Sequence, residues 1–552
     1  MSTGAEIYRN AALAECWRLA SLLDRNPFSA TRGSFSRTHW AWKFEDFPFP
    51  RLQEGLYALA RLYTLPGADH VFHQRADVTR WIEWGLEYWL SRQHANGAFD
   101  EAYPFEQCVA ATAFTSFYVG HAFILHREHL SSSLRSRVTG ALRSAGDWLI
   151  ENDETHGVLS NHLAVAVAAL ELVARTCGDA RHSRRAREFL RRIFDHQSAE
   201  GWMKEYDGAD IGYGTHGVFY LAAYWQMTGC EETLGALRRC ARFLACFVHP
   251  DGTIGGEYSS RNTEFYYPAG FEILAAQCPA SAGIAAHMRR AITERRVCGV
   301  WAMDTFNFMP MLNNLLFAMD ASKEGNVAEP VAFETAPFSK YFDECGLWVV
   351  NSELRYVIIG LSKGGTVSVF DKKLRRLSAR HAGIVAAAGT SRFTSQDYTL
   401  QPAVTWSEDG AAATINVPWK NMRQLVFSPM LFVAFRLFNL SIGRLPSASR
   451  WLKKLLVRVL ISRGRRPPVV HSRTLRVTAE AIQIEDDIAM PAKVENLVVA
   501  AQFASIHMGS SLYADVRSLE DSTQTFEFPC KARVRLCATL GLSGARWQMG
   551  GD

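Results

Sequence analysis

Apolar residues recur at three- and four-residue spacing through the first three-fifths of the chain, as in Leu13-Trp17-Leu19-Leu22, Leu52-Leu56-Leu59-Leu62 and Trp81-Trp84-Leu86-Trp89. This is the period of helices with a buried face. Further helical runs are predicted over roughly 106–127, 133–152, 161–176, 182–197, 214–228 and 231–248, so about twelve helices fit before residue 325. The turns between them are alike. Asn96-Gly97-Ala98-Phe99, His156-Gly157-Val158-Leu159, Glu200-Gly201-Trp202-Met203 and Asp251-Gly252-Thr253-Ile254 each set a polar residue and a glycine before apolar ones. Their glycines lie 60, 44 and 51 residues apart, which suits a repeated helical pair with a decorated loop. Two arrangements fit: a ring of helical hairpins with these turns on one rim around a cleft, or an ordinary helical domain.

From about residue 340 the period shortens. Leu347-Trp348-Val349-Val350, Tyr356-Val357-Ile358-Ile359, Thr366-Val367-Ser368-Val369-Phe370, Ala412-Ala413-Thr414-Ile415-Asn416-Val417, Leu475-Arg476-Val477-Thr478 and Val498-Val499-Ala500 are short, mostly β-branched and bounded by turn residues. The fold class expected is α+β multidomain, with helices over 1–325 and an antiparallel β-sandwich over 336–552, joined by a linker near 321–335.

A basic block interrupts the strands at about 425–466. Phe427 to Ile442 is apolar with the single charge Arg436, and is short for a membrane span. Arg450 to Leu460 is amphipathic at helical spacing, with Trp451, Leu452, Leu455, Leu456, Val459 and Leu460 on one side and Arg450, Lys454 and Arg458 on another. Arg463, Arg465 and Arg466 follow. Such an insertion either lies on an anionic membrane surface, through 427–466, or packs on the sandwich with solvated charges. No nucleic-acid motif accompanies the charge, and no nucleic-acid partner is expected.

Charge and composition sharpen this. The net charge is +5, yet residues 410–479 hold 13 Lys and Arg and no Asp or Glu, so the rest of the chain carries −8. The 15 Trp suit a sugar cleft as well as a core of large residues. The 11 cysteines form no CxxC and no metal-spaced Cys/His pair, which reads as a reducing compartment. Met1 to Phe28 contains Glu6, Glu15 and Asp24 within its apolar residues, so no secretory signal is read there and a cytoplasmic location, peripheral on the inner membrane face, is expected.

The chemistry gathers in two stretches. Asn161-His162 opens an apolar helix, and Glu205-Tyr206-Asp207-Gly208-Ala209-Asp210-Ile211-Gly212-Tyr213-Gly214-Thr215-His216 follows about fifty residues on. An amide, an imidazole and a phenol suit removal of a proton next to a carboxylate. A uronate C5 proton is barely acidic, because its carboxylate resists further negative charge, so a donor must hold the enediolate. A third stretch, Glu257-Tyr258-Ser259-Ser260-Arg261-Asn262-Thr263-Glu264-Phe265-Tyr266-Tyr267, is dense in Arg, Asn, Glu and Tyr.

The order of helical half then β half, the Asn161-His162 pair and Tyr213 near Gly and His resemble the heparinase II/III-like and alginate-lyase superfamily. The resemblance implies an (α/α) toroid followed by a β-sandwich, and β-elimination of a uronic-acid polysaccharide. It implies that Asn161 stabilises the enediolate, that His162 acts as base or orients the substrate, and that Tyr213 is the acid at the leaving O4. Related alginate lyases carry an Arg about two turns before the Tyr. Here Lys204 and Tyr206 stand in that region, and Arg261 is the substitute. Tyr103, Glu106, Tyr206, Asp210, His216, Arg261, Asn262 and Glu264 are the expected substrate-binding residues, for an anionic oligo- or polysaccharide.

Other readings fit the same residues. Asn161 is a good helix cap, and the tyrosines suit a core. Asp100, Glu101, Asp207 and Asp210 allow a glycoside hydrolase, although an Asp in such a turn often fixes only its own backbone. A C5-epimerase shares the first step with a lyase, and a non-catalytic glycan-binding protein needs neither. Asp371, His381 and His471 show no metal-ligand spacing, and no metal or cofactor is expected.

Overall fold

The computed structural model of the chain describes residues 2–67, 70–154, 160–206, 208–399, 401–422, 428–460, 466–490, 494–500, 513–514, 517, 524–527 and 533–550. Its first half holds α1 (Gly4–Ala14), α2 (Cys16–Leu22), α3 (Gly55–Thr64), α4 (Ala76–Arg92), α5 (Val109–His126), α6 (Ser132–Glu151) and α7 (Ser160–Cys177). After these come α8 (Ala180–Asp195), α9 (Ile211–Thr228), α10 (Glu231–Leu244), α11 (Ala269–Leu274), α12 (Pro279–Thr293) and α13 (Thr305–Ala321). Helices α3, α5, α7, α9, α11 and α13 each pack against the next, and α13 returns to α3, which closes an inner ring. α1, α4, α6, α8, α10 and α12 form the outer layer. This is an (α/α) toroid.

The residue pattern explains the layers. Inner α7 is buried without a break from Leu163 to Ala174, as a helix enclosed on all sides must be. Outer α8 buries only His182, Ala186, Phe189, Leu190 and Ile193, a single stripe. Helix α5, continued to His129, is the one described helix long and apolar enough to cross a membrane, and most of it is buried in the ring.

The recurring turns share one geometry. Gly97 (φ 96°), Gly201 (φ 107°) and Gly252 (φ 87°) each donate their N–H to the carbonyl three residues back. Gln93 and Gln197, four residues before the first two, donate Nε2 to that glycine's carbonyl and to Ala141 of α6 or Ala236 of α10. A Cβ on Gly97 or Gly201 would strike the carbonyl oxygen of Ser144 or Arg239. The turn at 156–159 lies outside the described residues.

A short hairpin, β1 (Lys204–Glu205) and β2 (Gly208–Ala209), precedes α9. The second half is antiparallel. β3 (Phe338–Phe342), β4 (Leu347–Asn351), β5 (Arg355–Gly360), β6 (Thr366–Asp371) and β7 (Arg376–His381) form one sheet in chain order. A second sheet has the order β12 (Lys420–Asn421), β9 (Ser391–Thr394), β8 (Gly383–Ala388), β15 (Asn496–Ala500), β16 (Gln524–Glu527). The third runs β10 (Val404–Trp406), β11 (Ala412–Asn416), β13 (Val470–Val477), β14 (Ala481–Ala489), β17 (Arg533–Gly541), β18 (Gly544–Gly550). Leu347, Val349, Tyr356, Ile358 and Phe370 of the first sheet join the helical core. Trp348, Val357, Ile359, Val367 and Val369, on its other face, join the sandwich core. Burial of both faces is why β5 and β6 read as apolar runs rather than alternating ones.

Between β12 and β13 stand α14 (Pro429–Leu440) and α15 (Pro446–Leu460). Their described polar contacts correct the expectation of packing on the sandwich, because they run to the helical half. Arg436 pairs with Asp46 at 2.8 Å and Lys453 with Glu106 at 3.1 Å, and Ser449 Oγ donates to the Phe105 carbonyl at 3.0 Å.

Substituting Gly201→Ala forces a side chain into a positive-φ position against a carbonyl. It should destabilise the protein by about 1–3 kcal/mol in chemical denaturation, whereas alanine at the exposed, helical Gly140, with nothing near its Cβ position, should not.

Candidate active site

The start of α7 is built around two buried carboxylates. Asn161 is the second residue of α7, and Glu205 of β1 accepts both its backbone N–H at 2.7 Å and its Nδ2–H at 2.8 Å. The Asn161 amide thus does not serve as a helix cap; it is clamped by Glu205 and keeps one N–H beyond that bond. The neighbouring His162 meets buried Glu154 through Nδ1 at 3.0 Å, while its ring stays partly exposed. A carboxylate on Nδ1 selects the tautomer whose Nε2 accepts a proton. Burial drives the Glu205 carboxyl up to about 7, against the pull of the Asn161 backbone N–H.

Tyr213 lies in the first turn of α9, capped by Asp210. The Asp210 carboxylate accepts the Tyr213 N–H at 3.0 Å, the Ser259 hydroxyl and Arg261 N–H at 2.9 Å, and a hydroxyl bond from Thr263. Asp210 was expected to bind sugar; its oxygens are instead occupied in tying α9 to the 257–263 loop. In that loop Arg261 sits 3.8 Å over the Tyr206 ring, seven residues before Tyr213. Asn262 is 2 % exposed, has φ 60°, and neither amide atom has a hydrogen-bond partner among the described residues. Desolvating an amide without a partner is costly, and a ligand would relieve it.

A chain of rings joins the two stretches. The Phe114 ring meets His162 edge-on at 6.1 Å and stacks on His216 at 5.7 Å. His216 stacks on Tyr267 at 4.0 Å, Tyr267 meets Phe265 at 5.3 Å, and Phe265 meets Tyr213 at 5.4 Å. Helices α7 and α9 approach so closely that a Cβ on Gly217 would be 3.9 Å from the Asn161 Cα. His216 was also expected to touch substrate. It is buried, bonded to the Tyr220 hydroxyl at 2.8 Å and held neutral by desolvation, so it is a floor beneath the site.

The remaining expected residues have partners of their own. Tyr103 is buried edge-on against Phe435 of α14. Glu106 accepts the Glu101 and Ala102 N–H groups and pairs with Lys453 of α15. Glu264 pairs with Arg517 at 3.5 Å. Asp100 accepts the Phe105 and Gln107 N–H groups, Glu101 pairs with Arg51 at 2.9 Å, and Asp207 lies outside the described residues. In the β half, Asp371 caps its own turn and His471 bonds Asp486 and Trp419. Ligand-type atoms of Glu101, Glu106 and Cys108 lie within 4.8 Å of one another, and the Lys453 ammonium sits 3.1 Å from Glu106 and 3.4 Å from Cys108.

Several residues of the site carry no sequence signal. Arg51 stacks 4.0 Å over Phe114 and bridges Glu54 and Glu101. Fully buried Lys363 of the β half donates to the Ser260 carbonyl at 3.3 Å, and burial holds its ammonium well below the usual lysine range. A Cβ on Gly208 would collide with the Tyr398 hydroxyl, so the β half presses directly on the β1–β2 hairpin.

Asp210→Ala should cost at least about 2 kcal/mol, by loss of the cap and of the loop's anchor, measured by denaturation. The raised Glu205 carboxyl binds a proton in the folded state that the unfolded chain has released. Stability should therefore fall as pH rises from about 4.5 to about 7, by on the order of 3 kcal/mol from this group. Glu205→Gln should remove that share of the slope and leave the share due to Glu54, also raised to about 7 by burial.

Residues 45–270 match the family described as Ulvan lyase N-terminal domain. A sequence search of curated proteins finds no match. Among solved structures, a Paenibacillus xanthan lyase superposes with a TM-score of 0.55 at 12% identity over 96% of this chain and 52% of that one. The Streptomyces coelicolor A3 chondroitin AC lyase, in complex with chondroitin sulphate, gives 0.58 at 11% identity over 90% and 68%. Heparinase III gives 0.50 at 10% identity over 92% and 80%. The chain spans about half the length of the xanthan lyase and about two thirds of the chondroitin lyase. In the sequence of most of its helical half the chain is thus similar to the Ulvan lyase N-terminal domain, and in its fold to polysaccharide lyases built from an (α/α) toroid and a β-sandwich.

Proposed function

We propose that this chain is a polysaccharide lyase that cleaves a uronic-acid-containing glycan by β-elimination. The observation that carries the reading is the consecutive pair Asn161-His162, each side chain held by its own buried carboxylate, Glu205 and Glu154. One position supplies a donor for a substrate carboxylate, and the next supplies an oriented base. The Asn161 amide, with Arg261 and Asn262 from the facing loop, would hold the C6 carboxylate as charge moves onto it from C5. Nε2 of His162 would take the C5 proton, and the Tyr213 hydroxyl would give a proton to the departing O4. The electron pair of the C5–H bond becomes the C4–C5 double bond as C4–O4 breaks.

Of the four carboxylates weighed for hydrolysis, Asp207 lies outside the described residues and the other three are engaged. Asp100 and Asp210 spend their oxygens on backbone N–H groups, and Glu101 is neutralised by Arg51. Epimerisation uses the same first step and differs only in the fate of O4.

Incubation with a panel of uronate polysaccharides should produce the ultraviolet absorbance of an unsaturated uronate. Deuterium entering C5 from solvent without that absorbance would instead mean epimerisation, and new reducing ends without either would mean hydrolysis. Tyr213→Phe and His162→Ala should each lower turnover by roughly 10²–10⁴-fold while leaving the thermal transition in place; wild-type turnover in either variant removes that residue from the mechanism.

A further inference from the structure

The hairpin α14–α15 leaves an apolar stripe uncovered. Along α14 the apolar Met430, Val433, Leu437 and Leu440 recur at helical spacing and face solvent, with Met430 78% and Leu437 64% exposed. The polar Asn439 on the same helix is buried, and Arg436 is turned inward to Asp46. The stripe continues through exposed Leu445 to Trp451, which is 59% exposed. A helix of a globular protein sets its apolar stripe against the core. Here the protein-facing side holds Phe435 and the pair of Arg436 with half-exposed Asp46, and a run of large apolar side chains meets water. Contiguous exposed patches of this kind mark a surface that another phase or partner covers.

We infer that this face docks on an anionic lipid bilayer. The charge pattern selects that occupant. Residues 428–466, the hairpin and its exit, carry nine Lys and Arg and no Asp or Glu; Arg436 and Lys453 are turned to Asp46 and Glu106, while Lys454 stands exposed beside Trp451. A second copy of the same face would bring like charges together, whereas anionic headgroups complement them. Aromatic and aliphatic side chains flanked by basic ones are the composition of a helix lying in the interfacial plane. The hairpin's inner side is fixed to the toroid through Lys453–Glu106, Ser449–Phe105 and Tyr103–Phe435. Docking would therefore hold the 100–108 loop, beside the site, close to the lipid surface, where a membrane-attached glycan would be presented. The docking itself stands independently of the lyase reading.

The test is flotation of the full-length protein with vesicles of phosphatidylcholine alone and of phosphatidylcholine mixed with phosphatidylglycerol. The protein should float with the mixed vesicles, less so as salt is raised, and not with phosphatidylcholine alone. The double variant Leu437→Glu/Trp451→Glu should lose flotation while keeping the wild-type thermal transition and oligomeric state. Absence of flotation with either vesicle overturns the proposal. So does a wild-type oligomer that the double variant dissolves, which would assign the face to a second copy. Flotation that survives the double variant unchanged also overturns it.

Discussion

The site depends on the Asp210 carboxylate. One group at the start of α9 receives the backbone of Tyr213, the backbone of Arg261 and the hydroxyls of Ser259 and Thr263. It thereby fixes the register between an inner helix of the ring and a loop that belongs to no helix. Gly212 lies so close to Thr263 that a Cβ there would strike the threonine hydroxyl. Everything that would grip a sugar from this side, Arg261 and Asn262 included, is placed by that one cap.

A division of labour follows. The inner helices deliver Asn161, His162 and Tyr213 from their N-terminal ends, where backbone N–H groups also favour an anion. The carboxylates that orient the first two come from outside α7: Glu154 from just past α6 and Glu205 from the β1–β2 hairpin. The β half contributes Lys363 and Tyr398 at the back of the same hairpin and loop. Side chains on rigid helices, oriented by groups from separate elements, are the arrangement in which small misplacements matter most.

The architecture was largely legible in the chain because periodicity is a local property. Runs such as 133–152 and 161–176 announce α6 and α7, and Tyr356-Val357-Ile358-Ile359 announces β5. The candidate residues Asn161, His162 and Tyr213 stand in two short stretches of the sequence. Their use was not legible there. Nothing in the sequence separates Asp210, spent on a cap, or His216, sunk beneath the site, from polar residues that reach a ligand. Arg51 arrives by folding from a distant position and Glu154 from the loop eight residues before His162, and no spacing rule points to either. The hairpin illustrates the same limit. Its amphipathic period was visible, but the side it presents to the protein depends on Asp46 and Glu106, hundreds of residues earlier.

The first sheet of the second half, apolar on both faces, has a consequence for biosynthesis. Residues 347–370 finish the core of a ring whose last helix ends at Ala321. During translation the nascent ring must therefore wait, greasy side uncovered, until those strands clear the ribosome. The strands in turn wait for the remaining sheets to shield their other side. Each half thus leaves an apolar face uncovered where the other is missing.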